Sequence, residues 1–353
     1  MKQFIIEAID SQQLFDFSSV VIRGNDDQSH LKGDIDVLVS LGYSNVACLY
    51  LANFLKSRGW LIIAFRELDY LSSVVVANTE LFPGKSVKID FFGGLGWYGL
   101  NKKEFDFRLL CESDDLMAQS TITLAHKLMY AGVFCQKDIK RIEPFVNGAI
   151  KSLNLNDLID EEILSTTPIS KLLKWRVRFR VSGYSKLGLP FWLVRVICRV
   201  LKSKIRPTRG YGRAIFLLSS NDIPQFFIDD LTNLYAASGD KDLPLFNHPL
   251  LNNLYRFGFL VNDLSSNNRW YCLGLSPVRS LFLVISRSLV GFMTYRGGYF
   301  ISTYDKVFAP VSSAYGHCII DLSKVGSDDM FSTVTNKINT LVLRDISDMT
   351  LSH

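Results

Sequence analysis

The chain has 353 residues, 48% of them hydrophobic, and a formal net charge of +5. That is enough apolar material for two or three packed domains, and it excludes disorder as the general state. Six cysteines (Cys48, Cys111, Cys135, Cys198, Cys272, Cys318) without a C-x-x-C pair, and five histidines (His30, His126, His248, His317, His353) without ligand spacing, speak against zinc and fit a reducing compartment. Glu7 and Asp10 interrupt the first apolar stretch, unlike a signal peptide, and no apolar run reaches the ~20 residues of a membrane-spanning helix. The expected address is the cytoplasm. The charge is uneven: residues 171–206 hold eleven Lys or Arg and no Asp or Glu, so the remainder is net acidic.

In chain order, residues 1–16 place Phe4, Ile5, Ala8, Ile9 and Leu14 at roughly helical spacing, and Ser18 to Ile22 reads as a buried strand ending at Arg23-Gly24-Asn25. A glycine there lets backbone approach a phosphate, and a small polar neighbour can hydrogen-bond it. Ile35 to Val39 is the next strand. Asp34 and Asp36, two residues apart, point to one face of it. Two carboxylates that close repel unless they share a proton or a cation, and Mg²⁺ accepts one or two protein carboxylates and completes its shell with water and phosphate oxygens. The plain alternative is a solvated strand end. Residues 45–58 have helical periodicity with Gly59 as C-cap, and two or three β-rich runs follow at 60–65, 73–77 and 86–92, the last carrying Asp90.

A strand, a glycine turn, a strand with D-x-D, a helix and a later strand with a third acid make an α/β arrangement in which carboxylates converge. Arg23-Gly24-Asn25, eight intervening residues, Asp34-Ile35-Asp36-Val37 and Asp90 together resemble the motif of polymerase-beta-type nucleotidyltransferases. Asn25 stands where that family has a smaller residue, and the loop is short for it. The resemblance implies a mixed sheet with helices over residues 1–114. It also implies two Mg²⁺ ions held by Asp34, Asp36 and Asp90, and a nucleoside triphosphate whose phosphates are supported at Gly24 and Asn25.

After Asp90, Gly93-Gly94-Leu95-Gly96-Trp97-Tyr98-Gly99 offers either a bent loop presenting Trp97 and Tyr98 as a platform for a base or sugar, or a turn whose aromatics fill the domain edge. Residues 115–134 read as a helix bearing His126 and Lys127. By the same resemblance Lys127 is a candidate phosphate contact; the alternative is a solvated lysine. His126 reads as a packed or capping histidine.

Residues 115–206 form a helical subdomain and basic connector. Residues 174–180 alternate strictly between basic and apolar, and Phe191 to Leu201 reads as an amphipathic helix. Such a segment suits an anionic membrane surface or a solvated link between domains; without an accompanying RNA or DNA motif, nucleic acid is not the expected partner. The address then extends to the inner face of the membrane, and homo-oligomers are left open.

Residues 206–212 mark a boundary by Pro and Gly content. Ala214 to Leu218 reads as a buried strand and Phe226 to Leu231 as the start of a helix, yet G-x-x-x-x-G-K-S/T is replaced between them by Ser219-Ser220-Asn221-Asp222-Ile223-Pro224-Gln225-Phe226. An apolar helix at 281–295 precedes Gly297 to Tyr304. Tyr315 to Asp321 and Thr340 to Arg344 read as later strands. This layout resembles bacterial surface-polysaccharide-associated proteins that join a nucleotidyltransferase-like domain to a thymidylate-kinase-like one. The resemblance implies a parallel P-loop-type α/β domain at 207–353. Gln225 replaces the loop lysine, Phe226 the Mg²⁺-binding hydroxyl, and Ser302-Thr303 the Asp-Arg pair before Tyr304, so kinase chemistry is not expected. The whole then reads as an Mg²⁺-dependent nucleotidyltransferase acting on an unknown acceptor, or as a non-catalytic scaffold in the same pathway.

Overall fold

The computed structural model describes residues 1–10, 14–17, 19–23, 34–40, 42–67, 71–93, 95–96, 102–103, 214–219, 223–237, 244–255, 299–304 and 318–351, with isolated positions at 120, 144, 257, 285–286, 289–290 and 293. Among them the chain is mixed α/β, with one mixed sheet and one parallel sheet.

Helix α1 (Lys2–Asp10) buries Ile5, Ile6 and Ile9 along one side, as its spacing requires, and stops short of the expected residue 16. Strand β1 (Ser19–Arg23) and strand β2 (Ile35–Val39) pair antiparallel. Helix α2 (Ser44–Lys56) ends where the sequence places its stop. Gly59 adopts φ +76°, its N–H donates to the Lys56 carbonyl at 3.1 Å, and the Trp60 N–H reaches back to the Leu55 carbonyl at 3.1 Å. This is a Schellman cap: the left-handed position favours glycine, and the next residue, Trp60, is buried.

Strands β3 (Leu61–Glu67), β4 (Leu71–Ala77) and β5 (Ser86–Phe92) complete a five-stranded sheet of order β1-β2-β5-β4-β3. Its pairs are antiparallel except β2 with β5, which run parallel. A two-stranded ladder, β6 (Leu95–Gly96) with β7 (Lys102–Lys103), follows.

The second sheet is built from β8 (Ala214–Leu218), β9 (Leu245–Phe246), β10 (Phe300–Tyr304) and β11 (Cys318–Asp321), all pairs parallel, in the order β11-β8-β10-β9. Every residue of β8 is buried, the pattern of a parallel strand covered on both faces. Helix α3 (Gln225–Ala236) follows β8 directly, as expected. On one face of the sheet Ile215, Leu217 and Ile301 join a core continuous with the first sheet and its helices; on the other, Phe216, Phe300, Leu251 and Tyr255 form a separate aromatic-rich cluster.

One expected element is overturned. Thr340 to Arg344 is not a strand but part of α4 (Ser327–Leu351). The β-branched run taken alone suits a strand, but Val334, Ile338, Leu341, Val342 and Ile346 are buried at helical spacing, which sets the local structure over the longer stretch. The hydroxyls of Thr335, Thr340, Ser347 and Thr350 each donate to the carbonyl four residues earlier, so these four are satisfied within the helix.

Helix α4 packs on α2 and β3, and its Asn339 side chain accepts a hydrogen bond from the Ile62 N–H at 2.9 Å. Two bonds join α3 to the first sheet: Tyr235 Oη donates to the Ile63 carbonyl at 2.7 Å, and Ser86 Oγ to the Leu234 carbonyl at 2.6 Å. The helix expected at 115–134, apart from the helical and buried Ser120, and the basic segment at 171–206 lie outside the described residues. Among the described residues no helix is long and apolar enough to cross a membrane.

Candidate active site

Strand alternation sorts the first sheet into an apolar face and a charged one. Ile35, Val37, Ile89 and Phe91 enter the core. Asp36, Lys88 and Asp90 occupy the alternate positions and therefore stand on the opposite face. The parallel register sets Asp36 directly beside Asp90, and the antiparallel neighbour β4 sets Ser73 on Asp90's other side. Arg23, the last residue of β1, occupies the register position opposite Asp36.

The apolar face is fixed from behind. Ser72 on β4 points the other way from Ser73, bonding Ser44 Oγ at 3.1 Å and the Asn45 side-chain oxygen, while Asn45 Nδ2 donates to Glu67 Oε1 at 3.0 Å. This polar chain holds the start of α2 to the sheet. At the end of β5, a Cβ on Gly93 would stand 3.2 Å from both Cβ and Oγ of Ser44, closer than ordinary contact, so glycine permits the strand to pass the helix start.

The charged face is organised by Lys88. Its Nζ donates to Asp90 Oδ2 at 2.7 Å and to Asp34 Oδ2 at 3.2 Å, tying together carboxylates from two strands. Asp90 is 5% exposed and Asp36 8%, whereas the Asp34 side chain is 38% exposed, so the cluster runs from a buried floor to an open rim. Burial pushes the Asp90 carboxyl above its ordinary range and the nearby charge of Asp34 adds to this; the Lys88 ammonium pulls it back only in part. Burial would lower Lys88, but the charges of Asp90 and Asp34 outweigh it and hold the ammonium more firmly protonated than usual.

Asp90 Oδ1 and Ser73 Oγ are buried beside one another on neighbouring strands, and the Ser73 hydroxyl, like Lys88, draws the Asp90 carboxyl back toward its ordinary range. The donor set is all oxygen, which suits a hard divalent cation. Among the described residues, no three or more His, Cys, Asp or Glu side chains are grouped to hold a metal ion. Asp34 and Asp36 stand at the start of β2, and Lys88 stands between Asp34 and Asp90.

Comparison with family models, curated proteins and solved structures finds no match to this chain.

Of the residues singled out in the sequence, Asp34, Asp36 and Asp90 are brought to one face of the sheet. Gly24 and Asn25 follow β1 directly in sequence but, like Trp97, Tyr98 and Lys127, lie outside the described residues. Two members of the cluster carry no motif signature, Lys88 and Ser73. Lys88 could have been found by parity, since a residue two positions before Asp90 on a strand must share its face. Ser73 depends on inter-strand register, which no local pattern encodes.

The two free cysteines among the described residues do not compete for a catalytic role. Cys48 and Cys318 are buried, and burial pushes both thiols up, away from the reactive thiolate. On the second sheet, the loop after β8 leads to α3 through Pro224, which makes no side-chain cap bond. Gln225 Nε2 donates to Asp229 Oδ1 at 2.9 Å within the helix, and Phe226 is 52% exposed at its first turn.

Proposed function

We propose that the chain is an Mg²⁺-dependent nucleotidyltransferase that moves a nucleoside monophosphate from a nucleoside triphosphate to an acceptor hydroxyl. The observation that carries this reading is the in-register placement of Asp36 and Asp90 on adjacent parallel strands, with Asp34 on the same face. Buried carboxylates cost folding free energy, and the pairing of two on adjacent strands favours a site over a solvated surface.

Asp34 and Asp36 would hold the ion, which when bound supplies positive charge against the triphosphate. Asp90 would orient the acceptor hydroxyl and take its proton, a role suited to a carboxyl whose surroundings raise its basicity. The hydroxyl oxygen forms a bond to the α-phosphorus, the bond to the bridging oxygen of the β-phosphate breaks, and pyrophosphate leaves with that electron pair. Gly24 and Asn25, next in sequence to Arg23, would support the phosphates, with Lys127 as a further contact and Trp97 and Tyr98 as a platform for base or sugar.

The mixed sheet supports a nucleotidyltransferase-type first domain, and residues 115–206 would then link it to the second. The parallel sheet with β8 central supports a P-loop-kinase-like second domain at 207–353. An exposed phenylalanine at the helix start and no lysine at the preceding loop position favour loss of kinase chemistry there. By resemblance alone, the acceptor is a sugar, glycan intermediate or protein in surface-polysaccharide assembly, and residues 171–206 would hold the protein at the inner face of the membrane.

The test is transfer of label from each α-labelled nucleoside triphosphate, with Mg²⁺ and a cell extract, by the native chain and by Asp34→Asn/Asp36→Asn. The double variant should keep its circular-dichroism spectrum and lose transfer; equal labelling by both chains rules the assignment out.

One observation favours a second reading, a non-catalytic scaffold or regulator. Lys88 already neutralises part of the acid cluster, as a purely structural ion pair would. Calorimetric titration with nucleotides, with and without Mg²⁺, separates the two, because the scaffold shows no metal-dependent binding.

A further inference from the structure

Among the described residues β3 is the outer strand of the first sheet, at the end away from β1. Its first five residues, Leu61 to Phe65, are all apolar, and charge enters only at Arg66 and Glu67. An apolar edge strand offers backbone N–H and C=O groups to any second strand, and natural edges are blunted by charge, by proline or by a cover. Leu61 to Phe65 has neither charge nor proline. Side chains from the second half of the chain supply the cover. The register shift between Ile62 and Ala64 takes Ile63 out of the ladder with β4, and its carbonyl accepts from Tyr235 Oη of α3 at 2.7 Å. One residue earlier, the Ile62 N–H donates to Asn339 Oδ1 of α4 at 2.9 Å. Tyr235 is 1% exposed, and Ser86 Oγ holds the neighbouring Leu234 carbonyl at 2.6 Å, so the last turn of α3 is fixed where it meets the sheet.

We propose that Tyr235 and Asn339 guard the edge of β3, occupying backbone groups through which it would otherwise pair with β3 of a second copy of this chain. A second copy is the partner that fits, because two identical strands set antiparallel about a two-fold axis bring the same apolar run and the same free groups to each other. On this account α3 and α4 have a task that needs no chemistry of their own, keeping the first sheet closed. The proposal concerns the β3 backbone and is independent of the nucleotidyltransferase reading. Apolar packing of α4 on β3 also holds the edge shut, so the two bonds act by setting the fraction of chains in which it is open. Self-association scales with that fraction, and loss of both bonds should raise it at least about tenfold.

The experiment follows self-association of the full chain by sedimentation velocity, in urea just below each variant's own unfolding transition, with circular dichroism checking the fold. Tyr235→Phe/Asn339→Leu should associate at least about tenfold more readily than the native chain. Each single variant should show part of the effect and carries the test if the pair does not fold. Asn339→Asp, whose carboxylate can still accept from the Ile62 N–H, should stay close to native. Phe15→Ala is the control: it opens a cavity beside Phe91, destabilises the chain at least as much and leaves both guards in place. Hydrogen exchange of β3 amides should be slower in the associated form than in the monomer. Association of Phe15→Ala equal to that of the guard variants, guard variants no more associated than the native chain, or associated chains with unprotected β3 amides each overturn the proposal.

Discussion

Both sheets contain parallel strand pairs, and the two pairings are furnished in opposite ways. Where β2 and β5 run side by side, the register sets Asp36 beside Asp90, and Lys88 joins them on the same face. Where β8 runs between β10 and β11, its own side chains are apolar from Ala214 to Leu218. Matched polar pairs stand near it: Thr303 N–H donates to Asn247 Oδ1 at 2.9 Å, Ser302 pairs with Asn252, and Asp321 at the end of β11 accepts from the Ser323 N–H at 3.0 Å. The second sheet is arranged for cohesion. The first carries Asp36, Lys88 and Asp90 on one face, where buried charge is costly unless it is paired.

The sharpest way to break this comparison is to remove the ammonium and measure stability instead of binding. Lys88→Met should cost about 3 kcal/mol in urea denaturation, the low end for breaking a buried pair because the lysine is partly exposed. Adding Asp90→Asn should recover most of that loss, since the stranded charge is gone. A lysine that is merely superficial would give a change near zero in both.

A smaller effect tests whether the two sheets are one cooperative unit. Tyr235→Phe deletes the bond from α3 to the Ile63 carbonyl on β3 and should cost about 1 kcal/mol. The unfolding transition should remain single and move as a whole. If it splits, with only one part moving, the continuous core does not couple the halves.

The smallest effect is in the pH dependence. The folded-state pKa of Asp90 is raised, so between that value and its unfolded value near 3.8 the folded chain holds a proton the unfolded chain has lost. Stability from this group therefore grows as pH falls through that window, opposite in sign to a salt-bridged carboxylate with a depressed pKa. The stability of the native chain relative to Asp90→Asn should rise between neutral and mildly acidic pH in thermal melts. A difference that stays flat would place Asp90 in a more solvated setting.

Much of the first sheet was legible in sequence. β2 and β5 run over the residues expected, because alternation, apolar content and flanking breakers agree there. Gly59 was legible as a helix stop for the same reason. The last helix was not: Thr340 to Arg344 has strand composition, and only the longer spacing of buried residues from Val334 to Ile346 shows the helix. At the site, the shared face of Asp34 and Asp36 follows from spacing alone. The tie from Lys88 to Asp34 spans 54 residues of sequence and depends on which strands neighbour one another. That adjacency is a property of the assembled sheet, and local pattern carries no trace of it.

The bond from the Ile62 N–H to Asn339 crosses 277 positions. It joins an edge strand to a helix synthesised much later. On the ribosome, β3 must therefore wait with its outer rim open while the intervening chain emerges, a long-range closure of the kind that slows folding and invites mispairing. A nascent chain halted before Ser327 would lack this clasp and should be the species most in need of a chaperone.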